Sequence, residues 1–170
     1  NLGNLLHIQN KLKEAEASFK KAINLRPSYS EAHYNLGVIL QEQDRLEEAV
    51  TSYKRSIKLK PNFTEAHSNL GNTLQQLNRL KEAEKSFKQA IALNPQYADA
   101  YNNLGVTLRE FGRLEEAEVS YNQAINLNPN FTAALMNRWQ LLFDKKKFKA
   151  ALRDIDSCNN ETSRACRLEP

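Results

Sequence analysis

Cysteine, glycine and tryptophan are scarce in this 170-residue chain, which holds two, five and one of them. Both cysteines, Cys158 and Cys166, lie in the last segment, with no Cys-x-x-Cys spacing and no histidine nearby. That argues against a zinc site or a disulfide framework and for reduced thiols in a cytosolic-type protein. No apolar run reaches the roughly 18 residues that a membrane span needs, and the first residues do not read as a signal peptide. A glycine-rich phosphate loop, a Ser-His-Asp set and a paired-carboxylate motif are also missing. Catalysis, a cofactor or a bound metal has no residue set to rest on, and a non-enzymatic, cytoplasmic protein is expected.

What the chain does contain is a period. Asn-Leu-Gly begins at Asn1, Asn35, Asn69 and Asn103, and a proline stands at Pro27, Pro61, Pro95 and Pro129, so two independent markers recur every 34 residues. A unit of that length cannot bury its apolar face alone and must stack on its neighbours as a solenoid. Asn1 falls inside a copy rather than at its start, so the first repeat reads as truncated and the chain as a piece of a longer protein.

Within a copy the apolar spacing is that of two helices joined by a short turn. In the second copy Ala32, Leu36, Ile39 and Leu40 recur at three- and four-residue intervals, and Leu46, Ala49, Val50, Tyr53 and Ile57 do so after a break at residues 43–45. The middle of that break holds Asn10, Asp44, Asn78 or Gly112, residue types that tolerate a left-handed backbone. Acids such as Glu47 and Glu48 open the second helix and Lys58 and Lys60 close it, which complements the helix dipole. Gly37, Gly71 and Gly105 are expected to mark close helix approach, with Ala49, Ala83 and Ala117 as partners. Ser56, Ala90 and Ala124 keep the far end of the second helix thin. Tyr53, Phe87 and Tyr121, with Tyr29, Phe63, Tyr97 and Phe131, are expected to fill the spaces between repeats.

The order Leu-Gly, Ala, Phe or Tyr, Ala, Pro over 34 residues resembles the tetratricopeptide repeat. The family implies an all-α fold, a right-handed superhelical solenoid of antiparallel helix pairs. Residues 1–131 hold four regular repeats. Residues 132–170 read as a degenerate fifth, a cap or junction in which Asn137 keeps its place, Arg138 and Trp139 replace Leu-Gly, and Ser163 replaces Pro. A tryptophan there must splay the helix pair or point outward. His33 and His67 stand where the family places an aromatic residue, which reads as core packing rather than a metal pair. A pentatricopeptide array, which reads RNA, has a different residue pattern.

The resemblance also implies a function, a protein-binding scaffold that holds an extended peptide or partner helix in a concave groove lined by the first helices. Asn35, Asn69 and Asn103, with Asn1 and Asn137 at the ends, are expected to face that groove as a ladder of amides able to donate and accept. Glu31, Glu65 and Asp99 lie one turn earlier and Asn72 one turn later, so a neutral to basic ligand is expected, unless the acids serve only the helix N-termini. The pattern is closest to the repeat region of O-linked N-acetylglucosamine transferases, where an asparagine ladder holds substrate polypeptide. That implies, as an alternative, a substrate-recruiting region of a larger transferase. The basic clamp of chaperone adaptors is missing, since Tyr34, Ser68, Asn102, Asn4, Asn72, Val38 and Val106 take its places.

The net charge is +4 and the pI about 9.0. The basic excess lies in residues 1–29 and 132–170, whereas residues 98–131 are net acidic. A phosphate-tracking stripe would run along the array beside exposed aromatic residues, so nucleic acid is not expected. Sequons at Asn62, Asn130 and Asn160 matter only in a secretory compartment. Leu2, Leu5 and Leu6 are expected to leave an apolar end open to end-to-end self-association.

Overall fold

The computed structural model describes residues 2–9 and 11–144, and all regular structure among them is helical. Asn1, Asn10, Cys158, Asn160, Ser163 and Cys166 lie outside the described residues. The chain divides into two compact units, residues 1–94 and 95–170. The first contains α1 (Leu2–Ile8), α2 (Leu12–Leu25), α3 (Ser30–Glu42), α4 (Leu46–Leu59), α5 (Thr64–Gln76) and α6 (Leu80–Leu93). The second contains α7 (Ala98–Glu110), α8 (Leu114–Leu127) and α9 (Thr132–Asp144).

The turn inside each pair follows from one residue in the left-handed region. Asp44, Asn78 and Gly112 have φ of 59°, 56° and 73°. This reverses the chain and lets Arg45, Arg79 and Arg113 donate from N–H to the carbonyls of Leu40, Leu74 and Leu108 at 2.9, 2.8 and 2.9 Å. The same arginines then grip the start of the second helix. Arg45 pairs with Glu48 at 2.6 Å and reaches Glu16 of the preceding repeat at 2.8 Å, and Arg79 pairs with Glu82 and reaches Glu47 at 3.0 Å. Between pairs, proline sets the second residue of a turn closed by Tyr29 N–H to Arg26 O at 3.0 Å and by Phe63 N–H to Lys60 O at 3.2 Å. The residues before proline, Arg26 and Lys60, are driven extended, which ends α2 and α4.

Each glycine of the first helix meets an aromatic ring, which corrects the expected pairing with alanine. A Cβ on Gly37, Gly71 or Gly105 would lie 2.7, 2.6 or 2.5 Å from the nearest ring carbon of Tyr53, Phe87 or Tyr121. Gly3 stands in the same relation to Phe19, at 2.6 Å. Ala49, Ala83 and Ala117 are fully buried, but the flat ring rather than the methyl group occupies the space that glycine clears. Ser56, Ala90 and Ala124 are also fully buried, as expected, and Ser56 bonds Ser30 of the paired first helix at 3.1 Å.

Hydrogen bonds reinforce this packing within residues 1–94. Gln41 Oε1 accepts from Tyr53 Oη at 3.0 Å and lies 3.0 Å from Thr73 Oγ1 of the next repeat, whose single proton is shared with the Asn69 carbonyl at 2.8 Å. At the corresponding place in residues 95–170, Arg109 stands for Gln41 and the fully buried Leu141 for Thr73. Tyr121 Oη there has no hydrogen-bond partner among the described residues. Burial pushes the Tyr121 hydroxyl up to about 12.

Candidate functional site

The first helices present the asparagines at one register. In residues 1–94, Asn35 and Asn69 are half-buried on α3 and α5. Asn69 Nδ2 donates to Tyr34 Oη of the preceding repeat at 3.1 Å. Tyr34 in turn lies between Tyr53 and Phe63, with ring centroids 5.9 and 4.8 Å away. Further along the same helices, Gln41 Nε2 donates to Gln76 Oε1 at 3.4 Å. In the first unit Tyr34–Asn69 and Gln41–Gln76 thus link one repeat to the next, and Asn35 stands at the register of Asn69.

In residues 95–170 the amides also join. Asn137 Nδ2 donates to Asn102 Oδ1 at 2.9 Å, and Asn102 Nδ2 donates to Asn103 Oδ1 at 3.0 Å. Both Asn69 and Asn137 thus bond the residue 35 positions earlier. A residue at this place ties neighbouring repeats with its donor, while the carbonyl of Asn137 is left for other use.

The acids are placed differently from one another. Glu31 pairs with Lys60 at 3.2 Å, so it is engaged at the junction of α4 and α5. Its own backbone N–H and then Lys60 hold its carboxyl below the usual carboxylate range. Glu65 and Asp99 are exposed in the first turns of α5 and α7, and Asn72 is half-buried one turn beyond Asn69.

His33 and His67 depart from the core reading. Each is half-buried, and its Nε2 donates to the carbonyl of Pro27 or Pro61 at 3.1 or 2.9 Å. An imidazole can satisfy a turn carbonyl that an aromatic hydrocarbon cannot, so the ring sits at the loop rather than in the interior. Among the described residues no cluster of His, Cys, Asp or Glu forms a metal site.

In the last copy, Trp139 stacks on Phe143 of its own helix with centroids 5.5 Å apart. Arg138 donates to Asn122 at 2.7 Å. Sequence reasoning missed the Arg45 and Arg79 clamps and the Gln41 acceptor. The signal for the first was in view, an arginine recurring every 34 residues with a glutamate three positions on.

Apolar side chains stay exposed at the start of the chain, where Leu2, Leu5 and Ile8 are 64%, 54% and 82% accessible. Among the described residues no helix is long and apolar enough to cross a membrane.

Solved structures share this fold. A crystal structure of MamA aligns with a TM-score of 0.90 at 23% identity, covering 98% of each chain. Pseudomonas aeruginosa PilF aligns with a TM-score of 0.86 at 21% identity, over 94% of this chain and 72% of that one. YrrB, described as a TPR protein with an unusual peptide-binding site, aligns with a TM-score of 0.77 at 25% identity, over 92% and 81%. No curated protein sequence matches. Models of the TPR repeat match residues 3–44 and 39–78, and a tetratricopeptide-repeat model matches residues 65–130. With the 34-residue period, the left-handed turns and the glycine-on-ring packing, these matches place the chain in the tetratricopeptide-repeat family.

Proposed function

We propose that this chain is a non-catalytic, cytoplasmic protein-interaction scaffold whose first-helix face binds an extended peptide through Asn35, Asn69, Asn103 and Asn137. The observation that carries this reading is the amide register. Helical asparagine is unfavourable by a few tenths of a kcal/mol relative to better helix formers, yet it recurs at the same place in every described repeat. Amides held by a neighbour lose less freedom on binding, which lowers the cost of recognising a backbone. Asn1 extends the register in sequence, and Glu65 and Asp99 add negative charge that favours a neutral to basic ligand. YrrB, similar in fold, is a protein with a peptide-binding site, which supports the same class of ligand here.

The test is a displayed library of random capped peptides selected on this protein. Selected peptides should bind the Asn35→Ala/Asn69→Ala/Asn103→Ala variant at least about tenfold more weakly, a loss of about 1.4 kcal/mol. Unchanged affinities would remove the asparagines from the site. The asparagine pattern also supports a second reading, recruitment of substrate polypeptide to a transferase domain of a longer chain. The open reading frame on either side of residues 1–170 tests it.

A further inference from the structure

The opposite face of residues 1–94, built from the second helices, carries a different chemistry. Between α4 and α6 a cavity of about 520 Å³ opens over α5. Ile57, Leu70 and Leu74 supply its apolar lining, and Lys54, Glu82 and Lys85 supply its charges. Glu82 is held by Arg79 at 2.7 Å and more loosely by Lys54 at 3.4 Å, so its charge is already met.

The surroundings are basic. Lys54, Arg55 and Lys58 share one stripe of α4 at three- and four-residue spacing, and residues 49–60 contain no acid. Lys21, Arg55, Lys58 and Lys85 are exposed and have no ion-pair partner among the described residues. The series Lys20, Lys54 and Lys88 ends at Asn122 in the next copy, and Lys85 falls on Val119.

We propose that this second-helix face docks an acidic peptide segment, seating one apolar side chain in the cavity and flanking carboxylates on Lys54 and Lys85. The volume admits a leucine or phenylalanine side chain, and the rim supplies charge complementarity through Lys85 and through Lys54, which Glu82 holds only loosely at 3.4 Å. A nucleic acid fits less well. The rings that would stack its bases, Tyr53 and Phe87, are fully buried, and an apolar floor offers phosphate nothing.

Fluorescence anisotropy with a labelled, end-capped Glu-Asp-Glu-Leu-Glu-Asp-Glu peptide tests the proposal on the full chain. Lys54→Gln/Lys85→Gln should weaken binding at least about tenfold, and so should Gln89→Trp, which fills the cavity. The peptide with Ser in place of Leu should bind more weakly to the unmodified protein. Circular dichroism should show unchanged melting for Lys54→Gln/Lys85→Gln, whose one lost contact is an exposed pair. Asn35→Ala/Asn69→Ala should leave this affinity unchanged, which separates it from the first-helix face. Absence of saturable binding, indifference to the lysines, or equal binding of the Ser peptide overturns the proposal. So does displacement of the peptide by oligo-dT or by phosphatidylserine vesicles in a lysine-dependent way, because the face would then read phosphate.

Discussion

Tyr53 and Tyr121 occupy the same place in successive-but-one repeats, yet removing their hydroxyls should have opposite effects. Tyr53 Oη donates to Gln41 at 3.0 Å, whereas Tyr121 Oη is buried and unpartnered among the described residues. The ring itself is not at issue. Phe19 and Phe87 fill the equivalent places against Gly3 and Gly71 at the same distance, so Tyr→Phe is sterically silent. Tyr53→Phe loses one buried neutral hydrogen bond, about 0.5–1.5 kcal/mol. Gln41 is half-buried and keeps a share of the Thr73 proton, which also reaches the Asn69 carbonyl, and this keeps the loss near the lower end. Tyr121→Phe instead relieves an uncompensated desolvation of about 1–3 kcal/mol, offset in part by whatever the hydroxyl gains from the polar groups of Arg109 and Glu110. At about 2–4 °C per kcal/mol for a chain of this size, Tyr53→Phe should lower the Tm by about 1–4 °C. Tyr121→Phe should leave it unchanged or raise it by a similar amount. Thermal unfolding followed by circular dichroism decides this, with urea unfolding as a check on cooperativity across a repeat array. Equal losses from the two substitutions would refute the reasoning.

Two further outcomes follow from the same packing and from the ion pairs. Gly71→Ala gains about 1 kcal/mol of helix propensity but drives a methyl into the Phe87 ring, so a net loss of about 1–2 kcal/mol is expected. Denaturant midpoints measure it, and a stabilised variant would show that the ring shifts freely. Glu16 is held by Lys20 at 2.6 Å and by Arg45 at 2.8 Å, and these bonds lower its carboxyl from 4.5 to about 2. A depressed folded value contributes stability above about pH 4.5 that is lost as the pH falls toward about 2. Glu16→Gln should therefore cost about 1 kcal/mol near neutrality, after allowance for exposed partners, and the two proteins should converge as the pH approaches 2. A gap that persists at pH 2 would mean that the loss is steric.

The helical skeleton was legible because its determinants are local. A left-handed residue at 44, 78 and 112 and a proline at 27 and 61 act through backbone geometry, which a single sequence displays. Side-chain partners were less legible because they depend on how one helix rotates over another. Gly37 meets Tyr53 rather than Ala49, although both lie on the buried side of α4 and only the helix rotation chooses between them. The family pattern puts His33 in the interior, but its Nε2 needs a polar partner and meets a turn carbonyl six residues back.

The asparagines show where the two kinds of information meet. Their recurrence alone is compatible with a ligand ladder and with packing between repeats. The hydrogen bonds join the two. Asn69 and Asn137 each give a donor to the residue 35 positions earlier, a phenol in one case and an amide in the other. A group that tolerates either partner constrains neighbouring repeats without dictating what they carry, so residues 34 and 102 are free to vary. Anchoring by one donor fixes the amide plane, so that one asparagine in each unit, Asn69 or Asn137, has its remaining atoms held in a set direction. A preset amide is what the proposed backbone-reading face needs. The Asn35→Ala variant separates the two roles, because it removes an amide proposed to face the ligand and leaves every described inter-repeat bond in place.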